Sequence, residues 1–142
     1  MARKLVVAAA IGFALSCGTG TVEEAAAVGP NYIELPPGFT ANTFATDLGQ
    51  ARFMTYSPDG HLIISSPKER ESVYALPDRD SDGVADERIT MASGLNTPHG
   101  LAWFDGWLYV ANIDGVVRFR DDDGDLVEDA GSRETVISGW PG

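Results

Sequence analysis

An all-β fold built from repeated four-stranded units is predicted by three features of this 142-residue sequence. Turn formers are abundant, with 16 glycines and 8 prolines. After the first 16 residues no long stretch carries the helical apolar period, while short aromatic and β-branched runs recur between turn dipeptides. A block of strands, tight turns and an acidic loop is written twice, in the same order.

The chain opens with a basic Met-Ala-Arg-Lys and an apolar run from Leu5 to Leu15, too short to span a bilayer as a helix. Residues 1–16 therefore read as a secretory signal, which makes the protein exported. Ala14-Leu15-Ser16-Cys17 resembles a bacterial lipobox, in which Cys17 would carry the lipid and anchor a periplasmic lipoprotein. Ordinary cleavage near Ser16 is the alternative. Cys17 is the single cysteine, so no disulfide forms within the chain. Residues 17–30 are small and acidic and read as a tether. Without the signal the chain keeps 8 basic against 21 acidic residues, a net charge of −13. That charge repels nucleic acid and anionic lipid, leaving the lipid anchor as the membrane contact, and it favours cations.

Residues 31–142 are the folded part. Pro36-Pro37-Gly38 sets an extended approach, and Phe39 to Leu48 alternates as one strand. The first copy then runs Phe53–Tyr56, a Ser57-Pro58-Asp59-Gly60 turn, His61–Ser65, a solvated turn at Lys68–Glu71, Ser72–Leu76, an acidic loop from Asp78 to Glu87, and Arg88–Met91. The second runs Gly100–Trp103, an Asp105-Gly106 turn, Trp107–Ala111, Asp114-Gly115, Val116–Phe119, a second acidic loop from Asp121 to Asp129, and Glu134–Ile137. PHGLAW aligns with RFMTYS, which makes Arg52 the counterpart of Thr97-Pro98, and Asp59 and Asp105 stand 46 residues apart. A period of about 40–50 residues with four strands per unit is the pattern of a β-propeller. The units are two four-stranded antiparallel blades, about 52–95 and 96–140. Since rings hold about four to eight blades, the chain is expected to be the N-terminal part of an incomplete ring, inactive by itself. Phe39–Leu48 would then be the outer strand of the last blade. Trp103, Trp107, Tyr109 and Phe119 read as inter-blade core.

Four sets of residues could carry chemistry. His99 starts an innermost strand, where an imidazole can serve as a general base near neutral pH; it can equally hydrogen-bond a strand backbone. Arg52 also starts an innermost strand and can meet a carboxylate, or form a surface ion pair. Asp78, Asp80, Asp82 and Asp86 occupy positions 1, 3, 5 and 9 of a loop with Gly83 at position 6, the front half of an EF-hand-like calcium loop. Ile89 stands where the bidentate glutamate belongs, with Glu87 as a substitute. A solvated acidic hairpin is the other reading. The second loop is a poorer calcium candidate, because Leu126 replaces the glycine.

LPPGFTANTFATDLGQARFMTYSPDGHLIIS, DRDSDGVADE, GLNTPHGLAWFDGWLYVAN and VVRFRDDDGD together resemble the start of the glucose/sorbosone dehydrogenase family, in its sorbosone and pyranose dehydrogenase branch. The resemblance covers about Ile33 to Gly142. It implies a six-bladed propeller using pyrroloquinoline quinone (PQQ) and calcium to oxidise the C1 hydroxyl or aldehyde of a sugar such as glucose or sorbosone. It also implies basic side chains at the ring's mouth against the quinone carboxylates. The family's base is expected in a Gly-His-x-Thr-Arg run of a later blade, so His99 is a secondary candidate. The sequence names neither the sugar nor the electron acceptor. The alternatives are a non-enzymatic propeller of the NHL-repeat kind, and a lactonase-type propeller with calcium in its channel.

Overall fold

The computed structural model describes residues 34–67 and 71–140. The signal sequence, the tether, Cys17 and most of the Lys68–Glu71 turn lie outside the described residues. Eight strands follow in order: β1 (Met54–Tyr56), β2 (Leu62–Ser66), β3 (Ser72–Leu76), β4 (Ile89–Ala92), β5 (Leu101–Phe104), β6 (Trp107–Asn112), β7 (Gly115–Phe119) and β8 (Glu134–Ser138). They form two antiparallel meanders, β1-β2-β3-β4 and β5-β6-β7-β8. The chain is all-β, with no helix among the described residues, and its sheets are two blades of a partial β-propeller.

The turns select this pairing. Asp105 and Gly106, with φ of 49° and 76°, make the two-residue turn whose twist suits a hairpin, and Phe104 pairs Trp107 across it. Both blades carry a register shift between their third and fourth strands, at Val73/Tyr74 and at Val116/Val117. Since the shift recurs at the same place, the repeat extends to backbone irregularities.

Side-chain alternation sorts the strands into layers. Ile63, Val73, Ala75 and Met91 of the first sheet meet Leu108, Val110 and Phe119 of the second in one buried cluster. Leu62, Ile64, Tyr74 and Leu76 face the other way, under Leu48 and the half-buried Phe44. β2 and β3 are consequently buried at every position. β6 alternates half-buried with buried residues, and β8 is exposed throughout. The four predicted core aromatics divide between two faces. Trp103 and Phe119 join the inter-blade cluster. Trp107 and Tyr109 lie on the far face of the second sheet, where Arg118 stacks 4.1 Å from the Trp107 ring and donates to the Tyr109 hydroxyl at 3.1 Å. The Tyr109 hydroxyl, and then Glu134, raise the Arg118 pKa further above its ordinary value.

One predicted element does not form. Phe39–Leu48 contains a single bridge residue, Ala45, rather than a strand. The segment packs over a face of the first sheet, and it adds no strand to either sheet among the described residues. Its polar groups instead reach loops: the Phe44 carbonyl accepts from Ala85 N–H at 2.8 Å, and the Asp47 carbonyl accepts from Arg88 at 2.5 Å.

Gly115 is the closest approach in the second blade. A Cβ there would stand 2.1 Å from the Ile137 carbonyl oxygen, and backbone on both sides prevents relief. Gly115→Ala is expected to cost about 2–3 kcal/mol, by overpacking and by opening the β7–β8 ladder. Urea unfolding measures it; a loss below about 0.5 kcal/mol would show that β8 is not held in this register.

Candidate functional site

The two groups of candidate residues lie at opposite ends of the blades. Arg52 and His99 precede β1 and β5. The acidic loops follow Leu76 and Phe119, which align through Leu62 and Leu108 with Tyr56 and Trp103 near the far ends of those innermost strands. The topology therefore separates any chemistry at the strand starts from the carboxylates.

At the strand starts the hydrogen bonds fix a register that differs by one residue from the sequence alignment. Arg52 N–H donates to the Ser65 carbonyl at 3.0 Å, and His99 N–H donates to the Ala111 carbonyl at 2.8 Å. The next residues, Phe53 and Gly100, each accept at 2.9 Å from Ser65 and Ala111. Arg52 is thus the counterpart of His99, not of Thr97-Pro98. The single-residue offset arises in the hairpin that follows: three residues, Pro58-Asp59-Gly60, join Ser57 to His61 in the first blade, and two, Asp105-Gly106, join Phe104 to Trp107 in the second. By alternation, His99 shares the face of Leu101 and Trp103 and turns to the first sheet, where its ring meets Phe53 edge-on at 6.3 Å and 73°. Arg52 shares the face of Met54 and Ile64, away from the second sheet. The two side chains therefore belong to successive clefts and are not in contact. Arg52 is exposed, and no described residue pairs with its guanidinium. A residue that the sequence reading missed connects the two starts. Ser65, fully buried on β2, donates its hydroxyl to the His99 carbonyl at 2.8 Å. Its only sequence signal was a polar residue inside an apolar strand.

Each acidic loop winds around its own carboxylates. In the first, Asp78 accepts from the N–H groups of Asp82 and Gly83, at 3.2 and 3.1 Å, and Asp82 accepts from Val84 at 2.8 Å. In the second, Asp121 accepts from Gly124 and Leu126, at 2.9 and 3.0 Å, and Asp125 accepts from Val127 at 2.8 Å. Ligand-capable atoms of Asp78, Asp80 and Asp82 come within 4.8 Å of one another, and so do those of Asp121, Asp123 and Asp125. Asp86 is outside the first cluster. Its carboxylate accepts from Arg79 N–H at 2.8 Å, just as Asp129 accepts from Asp122 N–H at 2.9 Å, so both brace the loop. Glu87 is bound to the Arg79 guanidinium at 2.7 Å.

The displaced glycine does not spoil the second loop. Left-handed residues fall at Ser81 and Gly83 in the first loop, with φ of 60° and 84°, and at Gly124 and Leu126 in the second, with φ of 78° and 65°. Each loop has one glycine and one side-chain-bearing residue in this region, in opposite order. A left-handed leucine costs about 1–2 kcal/mol. Burial of the Leu126 side chain in the inter-blade cluster offsets it. The aspartate register already aligned the two loops; what the sequence did not show is that positions 4 and 6 are both left-handed and that either can carry a side chain.

Like charges at this spacing repel, and a hard cation taking six to eight oxygens relieves that repulsion. Burial is the main cause that raises the Asp121 pKa above its ordinary 3.8; the N–H bonds from Leu126 and Gly124 oppose it, and Asp125 and Asp123 reinforce it. Because the folded value lies above the unfolded one, the contribution of Asp121 to stability is full below 3.8 and is lost as pH rises through the folded value. In chelator, stability is expected to carry this falling component, and Asp121→Asn to remove it; calcium binds the ionised form and should raise the melting temperature above that window. Asp80→Asn with Asp123→Asn should abolish the calcium response. Calorimetry with and without chelator measures these effects, and identical melts with and without calcium would rule out binding.

The comparisons with known proteins add a fold and a family. No curated protein matches the chain. Two solved structures, the iodide and calcium structures of a Trichoderma reesei carbohydrate-active enzyme of family AA12, match with a TM-score of 0.54 and 22% identity over 68% of this chain. The likeness is one of fold, and the chain spans about a quarter of the length of those proteins, 25% and 24%. A family model described as a domain of unknown function, DUF7133, matches residues 29–142. The chain belongs to the DUF7133 family.

Proposed function

We propose that this chain supplies the first blades of an exported, quinone-dependent oxidoreductase that acts on a sugar CH–OH or aldehyde group, with PQQ as the cofactor. The observation that carries the reading is the equivalent placement of Arg52 and His99 at the starts of successive innermost strands, one an exposed guanidinium with no partner among the described residues and the other a half-buried imidazole. The fold likeness to a carbohydrate-active enzyme supports the same class of substrate. Export rests on the signal-like residues 1–16, and membrane anchoring on lipidation of Cys17.

The donor set fits the proposed cofactor. Arg52 is free to form charge-assisted hydrogen bonds to a carboxylate. The quinone supplies the two-electron acceptor. His99 offers a ring nitrogen to a substrate hydroxyl, while Phe53 and the Ser65 bond restrict its ring and backbone. The proton acceptor itself is assigned to a later blade, which makes His99 an orienting group. Calcium in the acidic loops stabilises the blades from the opposite end, away from the chemistry.

Dye reduction by the full-length protein with PQQ, calcium and a panel of aldoses tests this reading. Arg52→Gln should weaken PQQ binding about 10–100-fold, the value of a charge-assisted hydrogen bond. His99→Ala should lower kcat/KM about tenfold, against the 10²–10⁴-fold typical of a lost general base. A larger loss would make His99 the base. Absence of both PQQ binding and turnover in the wild-type protein would point to a non-enzymatic propeller, and affinity and turnover unchanged in both variants would remove the strand starts from the site.

A further inference from the structure

We infer that Ser65 is the positioning residue of the strand-start site, because it holds the backbones of both Arg52 and His99. The inference rests on the functional reading above. Ser65 has no solvent exposure, and neither has its neighbour Ser66, whose hydroxyl reaches the Leu48 carbonyl instead. Two polar atoms of Ser65 make three hydrogen bonds at the site. Its carbonyl accepts the Arg52 N–H at 3.0 Å. Its hydroxyl donates to the His99 carbonyl at 2.8 Å and accepts from Phe53 N–H at 3.3 Å. The side-chain bond crosses from the first blade to the second, so it fixes the distance between two innermost strands that no ladder joins.

The repeat supplies an internal control. The second-blade counterpart of Ser65 is Ala111, whose N–H and carbonyl make the same bonds to Gly100 and His99. The ladder bonds thus need no hydroxyl. What the hydroxyl adds is the link between blades, at the point where the Phe53 ring meets the His99 imidazole. Without that link, the start of β5 would be held to the first blade near His99 by apolar contacts, the Phe53 ring and the packing of Leu101, and not by a directional bond. The spacing of the guanidinium and the imidazole along the mouth would then vary.

The closing experiment reads geometry and activity separately in the full-length protein. Ser65→Ala removes the hydroxyl with little change of volume; Ser65→Thr restores it. The His99 ring protons lie in the field of the Phe53 ring, so their NMR shifts report the contact without any cofactor. Ser65→Ala is expected to move these shifts to those of Phe53→Leu, Ser65→Thr to restore them, and circular dichroism to show an intact fold. In kinetics, Ser65→Ala should lower kcat/KM about tenfold in wild type and hardly at all in a His99→Ala background. Equal effects in both backgrounds would overturn the positioning role. So would unchanged His99 shifts in folded Ser65→Ala. Should His99→Ala leave turnover intact while Ser65→Ala moves the His99 shifts, the functional reading fails and the structural link stands.

Discussion

The packed layer between the two sheets is the constraint from which the rest of the structure follows. Ile63, Val73 and Met91 on one side and Leu108, Val110 and Phe119 on the other have no solvent exposure. Full burial of such side chains contributes about 1.5–3 kcal/mol each, whereas an isolated four-stranded blade would leave one of its faces wet. Neither sheet is therefore an independent unit. Leu95, on the connector between the blades, and Leu126, from the second acidic loop, insert into the same layer, so loops at both ends of the blades are tied to it.

That layer also explains how the strand starts are held. Strands in different blades share no ladder, so their relative height is set by packing and by side-chain bonds across the cleft. Ser65 provides such a bond to the His99 carbonyl, next to the Phe53–His99 ring contact. The strand starts are in this way referred to a buried strand, which is the more rigid part of the blade.

The acidic loops show a second use of the same layer. Their carboxylates satisfy loop N–H groups and thereby replace the backbone ladder that a long connection lacks. The price is a set of like charges held close together, one of which, Asp121, is already resistant to ionisation because it is partly buried. On the far face of the second sheet a different balance holds. Arg118 covers Trp107 and bonds Glu134 at 2.7 Å, while Phe104 remains 71% exposed.

The sequence by itself determined the strands, their order and the repeat, because alternation and turn dipeptides are local properties and every unit carried both. It also singled out the chemistry-bearing residues, since a histidine, an arginine and alternating aspartates are visible as letters. Tertiary structure decided what depends on distant partners. Phe39–Leu48 alternates like a strand, yet it packs across a sheet face and extends neither sheet among the described residues. Arg52 matches His99 because the first hairpin turn holds one residue more than the second, Pro58-Asp59-Gly60 against Asp105-Gly106. Leu126 can stand where a glycine seemed necessary because its side chain has a core to enter, and Ser65 acquires a role because another blade brings a carbonyl to its hydroxyl. In each case the deciding energy comes from a contact between residues far apart in the chain, which no local pattern encodes.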